Sequence, residues 1–307
     1  MTSSSNRLTY VKLAAVTMIW GTTFVAGRYL ASGVEPLLAA TLRFVLASLA
    51  LLVFVAFARV RLVRPSVRQL LQLAMLGFFG IYFYNLCFFY GLQYINASRA
   101  SLIVALNPAV IGLASWVVFK ERLGPAKLVG IVFCLGGAGA VIVSRNPALL
   151  NGTANAWIGD VLIFGCVAGW GAYSLFSRGL NQALGALQTV TWSILLGTLM
   201  LAATTAFSGR LTVNAVQAIE LPQWLSLLYL GVLGSALAYI LWYEGIRHIG
   251  ATRAGVFIAL NPLTAVICGA MLLGEPLTLP MLLGGGLILL GIYQCNKPLA
   301  PAKAMGI

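Results

Sequence analysis

A single arginine lies inside a long apolar segment of the chain. Arg43 is the one charged residue between Leu37 and Ala58. A guanidinium at the centre of a membrane helix costs roughly 2.5 to 3.5 kcal/mol on insertion scales unless it meets water or a partner. Two roles fit this position: contact with an anionic group of a ligand, such as a carboxylate, or a structural bond to carbonyls or a loop. The helix end is about two turns away, so the side chain can also reach toward the membrane surface.

The sequence Ala-Leu-Asn-Pro occurs twice, each time near the centre of an apolar segment. The two copies end in Asn107-Pro108 and in Asn261-Pro262. Proline removes a backbone N–H and frees a carbonyl one turn earlier, so the helix bends and leaves polar groups that need partners. Asn107 and Asn261 either satisfy such groups within a kink or face a central site or hinge. Under the second interpretation both belong to a substrate-binding site.

Two tryptophans, Trp20 and Trp170, lie near the middle of apolar segments, and each is followed by glycine. Indole rings at mid-membrane depth can close over an apolar or aromatic ligand, and they can also pack without binding anything. We predict that both rings contribute to the binding site.

Amide and phenol groups share an arc of two further segments. At helical spacing Tyr82 and Asn85 fall on one arc of Gln69–Leu92, and Tyr239 falls on the matching arc of Pro222–Gly245. Lipid tails do not reward such groups at mid-depth, so this arc is a candidate cavity lining. The alternative for the tyrosines is a belt at the membrane interface.

A different arc of the segment Gln69–Leu92 carries Gly77, Gly80 and Gly91 together with Tyr84. Small residues on one stripe let helices approach closely where no hydrophobic force drives them together. We predict that this arc serves helix packing.

The composition indicates that most of these residues lie within a lipid bilayer. Hydrophobic residues make up 61% of the 307 and charged residues 8%, with a mean hydropathy of +0.97. Soluble chains are about a quarter charged, so this chain is an integral membrane protein. A helix needs roughly 20 apolar residues to cross about 30 Å of hydrocarbon. The ten segments that qualify are Tyr10–Leu30, Leu37–Ala58, Gln69–Leu92, Ser98–Phe119, Lys127–Val143, Trp157–Ser177, Ala186–Phe207, Pro222–Gly245, Thr252–Leu273 and Leu279–Gln294.

The net charge of +13 is unevenly distributed between alternate loops. With ten crossings and both termini in the cytoplasm, most Lys and Arg residues fall in cytoplasmic loops, and only Arg99, Arg145 and Arg210 fall outside. This matches the positive-inside rule and predicts the orientation.

An internal repeat organises these segments. At a constant offset of 154 the matching pairs are Gly77 and Gly231, Gly80 and Gly234, Gly91 and Gly245, Arg99 and Arg253, Glu121 and Glu275, Gly130 and Gly284, and Gly137 and Gly291. Trp20 and Trp170 match at an offset of 150. Five crossings per copy reverse the second copy in the membrane, as in many secondary transporters. We therefore predict an all-α protein of ten transmembrane helices, built from inverted repeats at residues 10–144 and 157–294 around a central cavity.

The chain resembles a pair of EamA domains of the drug/metabolite transporter superfamily over nearly its whole length. The residues that carry the resemblance are Trp20-Gly21, Leu42-Arg43-Phe44, Leu106-Asn107-Pro108 and Glu121-Arg122-Leu123, with counterparts Trp170-Gly171, Leu260-Asn261-Pro262 and Glu275-Pro276-Leu277. Arg43 has no counterpart, because the offset of 150 leads to Ser193. The resemblance implies an exporter of the bacterial inner membrane. The aromatic-rich midsections of this chain resemble those of the YddG-type branch, whose members export amino acids.

Other functions find little support in the sequence. The acidic residues all lie at segment ends or in loops, so no proton relay is evident and the coupling ion stays open. The five cysteines lie in apolar stretches without metal-ligand spacing, and no nucleophile with a matched base is visible. We predict no enzyme activity, no cofactor, no metal and no nucleic-acid partner. The partners expected are a small-molecule substrate and membrane lipid, with the oligomeric state left open and a monomer sufficient.

The sequence thus predicts an exporter of amino acids and related metabolites that works by alternating access. The predicted substrate-binding residues are Trp20, Arg43, Tyr82, Asn85, Asn107, Trp170, Tyr239 and Asn261. Export of other drug-like organic metabolites and a channel-like facilitator are the alternatives. A carrier of phosphorylated compounds would need several basic groups at mid-depth, where Arg43 is the principal one.

Overall fold

The computed structural model describes residues 3–95, 97–120, 124–145, 155–264, 267 and 278–296, and all regular secondary structure there is helical. The α-helices are α1 Ser3–Gly33, α2 Pro36–Phe57, α3 Val67–Gly77, α4 Tyr84–Tyr94, α5 Ala97–Val104, α6 Asn107–Phe119, α7 Pro125–Arg145, α8 Ala156–Leu184, α9 Ala186–Phe207, α10 Val213–Gln217, α11 Leu221–Leu228, α12 Ala238–Ile249, α13 Ala251–Gly255 and α14 Leu279–Asn296. Two π-helical segments, Phe78–Phe83 and Tyr229–Leu237, and the 3₁₀ segment Val256–Ala259 join some of them.

Within the described residues nine helical stretches of 18 to 29 residues are long and apolar enough to cross a membrane. They correspond to nine of the ten predicted segments, and α3, the first π segment and α4 form one continuous stretch. The remaining predicted segment, Thr252–Leu273, falls partly outside the described residues. The chain is therefore a multi-pass membrane protein.

Local sequence explains several helix starts. The Glu35 carboxylate accepts a hydrogen bond from the Leu38 N–H, and Pro36 opens α2 where its missing N–H costs nothing. Ser66 and Gln69 form a reciprocal capping box at the start of α3. These caps place the short loops at the ends of the bundle.

Both Asn-Pro motifs coincide with a break in helix geometry. Helix α5 ends at Val104 and α6 begins at Asn107, as the proline predicts. In the second copy the 3₁₀ segment Val256–Ala259 ends two residues before Asn261. Because backbone hydrogen bonding is interrupted here, polar groups are brought to the centre of the bundle.

The π segments were not predicted from the sequence. They occur at overlapping positions of the two copies. In a π-helix the backbone hydrogen bonds join residues i and i+5, so the side chains that follow point in other directions than in a regular α-helix. In the second segment the side-chain hydroxyl of Ser235 also donates to the Leu230 carbonyl, five residues earlier, at 2.9 Å. A wheel drawn at 100° per residue therefore fails across these segments.

Helices α7 and α14 pack through glycines. A Cβ built at Gly130 would lie 2.7 Å from the Gly291 carbonyl oxygen, and one built at Gly137 would lie 2.5 Å from that of Gly284. Since residue numbers rise along one helix as they fall along the other, the two helices run antiparallel. The pairing joins equivalent positions of the two copies reciprocally.

The two copies share one interior. Helix α4 packs on α8, and α1 packs on α12. A Cβ at Gly91 would meet Ile163, while one at Gly245 would meet Leu13. These contacts again join equivalent residues, so each copy inserts a helix against the other.

Candidate functional site

Arg43 is held inside the bundle by two hydrogen bonds. Its Nε donates to the Ser235 hydroxyl at 3.1 Å, and its Nη1 donates to the Asn85 Oδ1 at 3.2 Å. The residue is only 4% exposed, and its Cζ lies 5.2 Å from the centre of the Phe44 ring. The Asn85 amide is oriented by a 2.7 Å bond from its Nδ2 to the Ile81 carbonyl.

No carboxylate of the described residues pairs with this buried guanidinium. The two hydrogen bonds use two of its five N–H groups, and the partners are neutral. A buried cation without a counterion is costly, and a bound anion lowers that cost. An anionic group beside Arg43 would lower the cost of its burial.

Arg43 lies on the wall of a central cavity between the two copies. The residues that line it are Trp20, Thr23, Phe24, Arg43, Tyr84, Phe88, Val104, Asn107, Trp170, Tyr239, Ile258 and Asn261. The cavity is narrow, with a volume of about 30 Å³. A ligand larger than water must therefore displace some of these side chains.

Aromatic rings form one side of the cavity. The rings of Trp20 and Trp170 meet edge to face with centroids 5.0 Å apart, and Tyr239 lies 5.2 Å from Trp170. The Trp20 indole donates to the Gly234 carbonyl at 2.9 Å, whereas the buried Nε1 of Trp170 has no partner among the described residues. The equivalent tryptophans thus meet, and only one keeps a free donor.

The two asparagines lie on the same cavity. Asn107 and Asn261 are 1% and 4% exposed, and the Oδ1 of each is buried without a hydrogen-bond partner in the described structure. The Nδ2 of Asn107 donates to the Val104 carbonyl at 2.9 Å. The side chain thus supplies a hydrogen bond to a backbone carbonyl at the helix break. The kink interpretation is therefore confirmed for Asn107, and its role in a binding site stays a prediction.

The structure brings together most of the predicted site. The predicted residues that line the cavity are Trp20, Arg43, Asn107, Trp170, Tyr239 and Asn261. Asn85 lies behind the cavity wall, where it supports Arg43.

Tyr82 lies apart from the cavity. Its hydroxyl accepts a hydrogen bond from Thr204 at 3.2 Å, and its ring stacks on Phe78, which is 39% exposed. The π segment between Phe78 and Phe83 changes the rotation per residue, so Tyr82 and Asn85 do not share a face as the helical wheel predicted.

Sequence reasoning missed several lining residues: Thr23, Phe24, Tyr84, Phe88, Val104 and Ile258. A signal existed for some of them. Thr23 and Phe24 follow Trp20 by one helical turn, and Val104 and Ile258 precede the two asparagines at the same spacing. Tyr84 was assigned to the packing arc, and its place in the cavity is a correction that the same π segment explains.

Ion pairs join helices at the ends of the bundle. Arg99 donates to both oxygens of Asp160 at 2.7 and 2.6 Å, which links α5 to α8. Arg210 contacts Glu35 and the Tyr90 hydroxyl, and these two partners raise the pKa of Arg210, the hydroxyl more strongly. At the end of the bundle where α1 begins, Lys12 and Glu244 pair at 2.7 Å between α1 and α12.

Equivalent glycines beside the tryptophans have different surroundings. A Cβ at Gly21 would lie 2.7 Å from the Asn261 carbonyl oxygen, whereas for one at Gly171 the nearest described atom belongs to Val110, at 3.5 Å. We expect Gly21→Ala to lower the melting temperature of the purified protein in detergent, because backbone cannot yield cheaply. Gly171→Ala is the matched control and should leave the melting temperature unchanged or slightly higher. Equal losses for both variants would contradict this packing.

These features define a multi-pass membrane protein with a polar, aromatic-lined cavity at its centre. The chain belongs to the EamA-like transporter family, whose profile matches residues 8–143 and 157–296. Members of this family are transporters and not enzymes, which agrees with the sequence prediction.

Several curated proteins are similar over nearly the full length. The uncharacterized transporter YetK of Bacillus subtilis (strain 168) is 26% identical over 92% of this chain and 85% of its own. An uncharacterized transporter of Archaeoglobus fulgidus is 28% identical over 92% of this chain and 97% of its own. A probable amino-acid metabolite efflux pump of Salmonella typhimurium is 28% identical over 91% of each chain.

A solved crystal structure shares the fold. It superposes with a TM-score of 0.75 at 18% sequence identity and covers 94% of this chain and 96% of its own. At this identity the likeness extends to the architecture alone.

Proposed function

We propose that this protein exports amino acids, including aromatic ones, across the bacterial inner membrane by alternating access. The observation that carries the proposal is Arg43, a buried cation without a carboxylate partner in the described structure, on the wall of an aromatic cavity. A substrate carboxylate fits the guanidinium, and the indole and phenol rings fit an aromatic side chain. A relative whose name is probable amino-acid metabolite efflux pump supports the same substrate class.

Alternating access requires two halves that can move about a shared site. We propose ten transmembrane helices in two inverted five-helix repeats, residues 10–144 and 157–294. The antiparallel pairing of α7 with α14 at equivalent glycines supports inversion, since parallel copies related by an axis along the helices would pair them in the parallel sense. Helices α2 and α9 are a second antiparallel pair and give the same support. Thr41 contacts Thr205 at 2.6 Å and Ser48 contacts Thr198 at 2.9 Å, so residue numbers rise along one helix as they fall along the other.

The proposed orientation places both termini in the cytoplasm. The Lys12–Glu244 pair would then lie at the cytoplasmic end, and the Arg99–Asp160 and Arg210–Glu35 pairs at the outer end. Ion pairs at both ends can open and close as each side of the cavity is exposed. A transporter needs contacts that can break and re-form, because a path open to both sides at once would let the substrate flow down its own concentration gradient.

Counterflow in liposomes tests the proposal. Purified protein is reconstituted into vesicles loaded with one unlabelled amino acid, and uptake of the labelled compound is followed for a panel of amino acids and organic cations. We expect saturable, trans-stimulated uptake of at least one amino acid with an aromatic side chain. Flux that neither saturates nor shows trans-stimulation would indicate a channel. Exchange confined to organic cations would contradict the amino-acid assignment and favour the drug-like alternative.

A further inference from the structure

Three buried polar atoms around the central cavity have no partner in the described structure: Oδ1 of Asn107, Oδ1 of Asn261 and Nε1 of Trp170. Leaving a buried donor or acceptor unpaired is costly, and native proteins contain few such groups. Their gathering at one cavity is explained if a ligand supplies the missing partners.

The chemistry of the two asparagine oxygens is well defined. The Nδ2 of Asn107 donates to the Val104 carbonyl, which only an N–H group can do, so the free end of this amide is the acceptor oxygen. Asn261 offers an acceptor from the equivalent position of the second copy. Among the described residues the cavity lining thus has two unpaired acceptors, one from each copy, and a group with several hydrogen-bond donors would satisfy both.

Arg43 presents the opposite chemistry. A guanidinium has donors only, and its buried charge favours an anion. A ligand that satisfies both ends carries a carboxylate and an ammonium in one molecule. An acid without an amine would leave both asparagine oxygens unpaired, and an amine without an acid would bring a second cation close to Arg43.

We infer that this site recognises the α-ammonium group as well as the α-carboxylate, with Asn107 and Asn261 accepting hydrogen bonds from the ammonium and Arg43 binding the carboxylate. The inference rests on the proposed function and narrows its substrate class to free, zwitterionic amino acids. N-acylated, esterified, deaminated and decarboxylated relatives are excluded as good substrates.

Competition experiments separate the two ends of the ligand. Counterflow of labelled L-phenylalanine is inhibited with unlabelled L-phenylalanine, 3-phenylpropionate, which lacks the ammonium, and phenethylamine, which lacks the carboxylate. In the unsubstituted protein both analogues should inhibit at least about 10-fold more weakly than L-phenylalanine, as expected for one or more lost buried hydrogen bonds.

Substitutions then assign each end. Asn107→Leu and Asn261→Leu should weaken inhibition by L-phenylalanine about 10-fold while leaving that by 3-phenylpropionate unchanged. Asn107→Asp should strengthen inhibition by phenethylamine, which distinguishes recognition from misfolding because a binding gain requires a folded protein. The matched control is Asn181→Leu, since Asn181 also has a buried, unpaired Oδ1 in the described structure but does not line the cavity. Its inhibition ratios should not change.

Two results would overturn the inference without touching the proposed function. One is equal inhibition by 3-phenylpropionate and L-phenylalanine; the other is an identical loss for all three compounds in the asparagine variants. If another amino acid exchanges in place of L-phenylalanine, the same comparison uses that amino acid with its own deaminated and decarboxylated analogues. Absence of exchange for every amino acid is the separate outcome in which the proposed function itself fails.

Discussion

Replacement of Arg43 with Gln is expected to raise the concentration of amino acid that half-saturates transport by roughly 10- to 100-fold. Hydrogen bonds that involve a charged group contribute about 1.5 to 3 kcal/mol, and tenfold in affinity corresponds to about 1.4 kcal/mol. Gln retains an amide near Ser235 and Asn85 but lacks the positive charge and the planar fork that match a carboxylate. The measurement is the initial rate of counterflow against substrate concentration.

Arg28→Gln is the matched control for this change. Arg28 also lies within a helix, but its side chain reaches the Leu92 carbonyl and does not line the cavity. We expect this variant to keep the half-saturating concentration. Arg43→Lys preserves the charge while losing the fork and should fall between the two.

The role of Arg43 is contradicted if a compound without a carboxylate loses as much apparent affinity as an amino acid does. That result would assign Arg43 to holding α2 against Ser235 and Asn85. In that case no ligand would offset the free-energy cost of burying the guanidinium.

The glycine contact between α7 and α14 predicts opposite effects for neighbouring substitutions. Gly137→Ala is expected to destabilise the protein by about 1 to 3 kcal/mol, because its Cβ would lie 2.5 Å from the Gly284 carbonyl oxygen. The destabilisation is measured as a lower melting temperature of purified protein in detergent, followed by size-exclusion chromatography after heating.

Gly136→Ala is the control on the same helix. No atom of the described residues lies within 4 Å of a Cβ at Gly136, so the substitution should raise stability by about 0.5 to 1 kcal/mol through the higher helix propensity of alanine. Gly284→Ala and Gly286→Ala repeat the comparison on α14, where a Cβ at Gly284 would meet Gly137 and one at Gly286 would meet no described atom within 4 Å. Equal effects within either pair would show that this contact does not hold the helices together.

Sequence reasoning was strongest where one residue conflicts with its surroundings. Arg43 was singled out because a charge in an apolar segment needs a partner, and the structure places it on the cavity wall. The Asn-Pro motifs predicted the helix breaks, since proline cannot continue the hydrogen-bond ladder. The repeat also paired Trp20 with Trp170 as equivalent residues, and in the structure their rings are in contact.

Reasoning from a regular helix failed at the π segments. Tyr82 and Asn85 were expected on one face, yet Tyr82 bonds Thr204 while Asn85 bonds Arg43. Tyr84, assigned to packing, lines the cavity. No residue type marks a π turn as proline marks a kink, so the change of rotation is invisible in the sequence.

The sequence by itself therefore determined that the protein lies in a membrane, where its helices approximately cross and which segments are repeated. It also determined which polar and aromatic side chains lie at mid-membrane depth. These properties depend on composition and on spacing along the chain. Only the tertiary structure decided which side chains share the cavity and that Ser235 and Asn85 hold Arg43. It also decided that the amide oxygens of Asn107 and Asn261 have no partner among the described residues. Those facts depend on how one helix rotates against another. That rotation is set by contacts between residues far apart in the chain, such as Trp20 with Gly234.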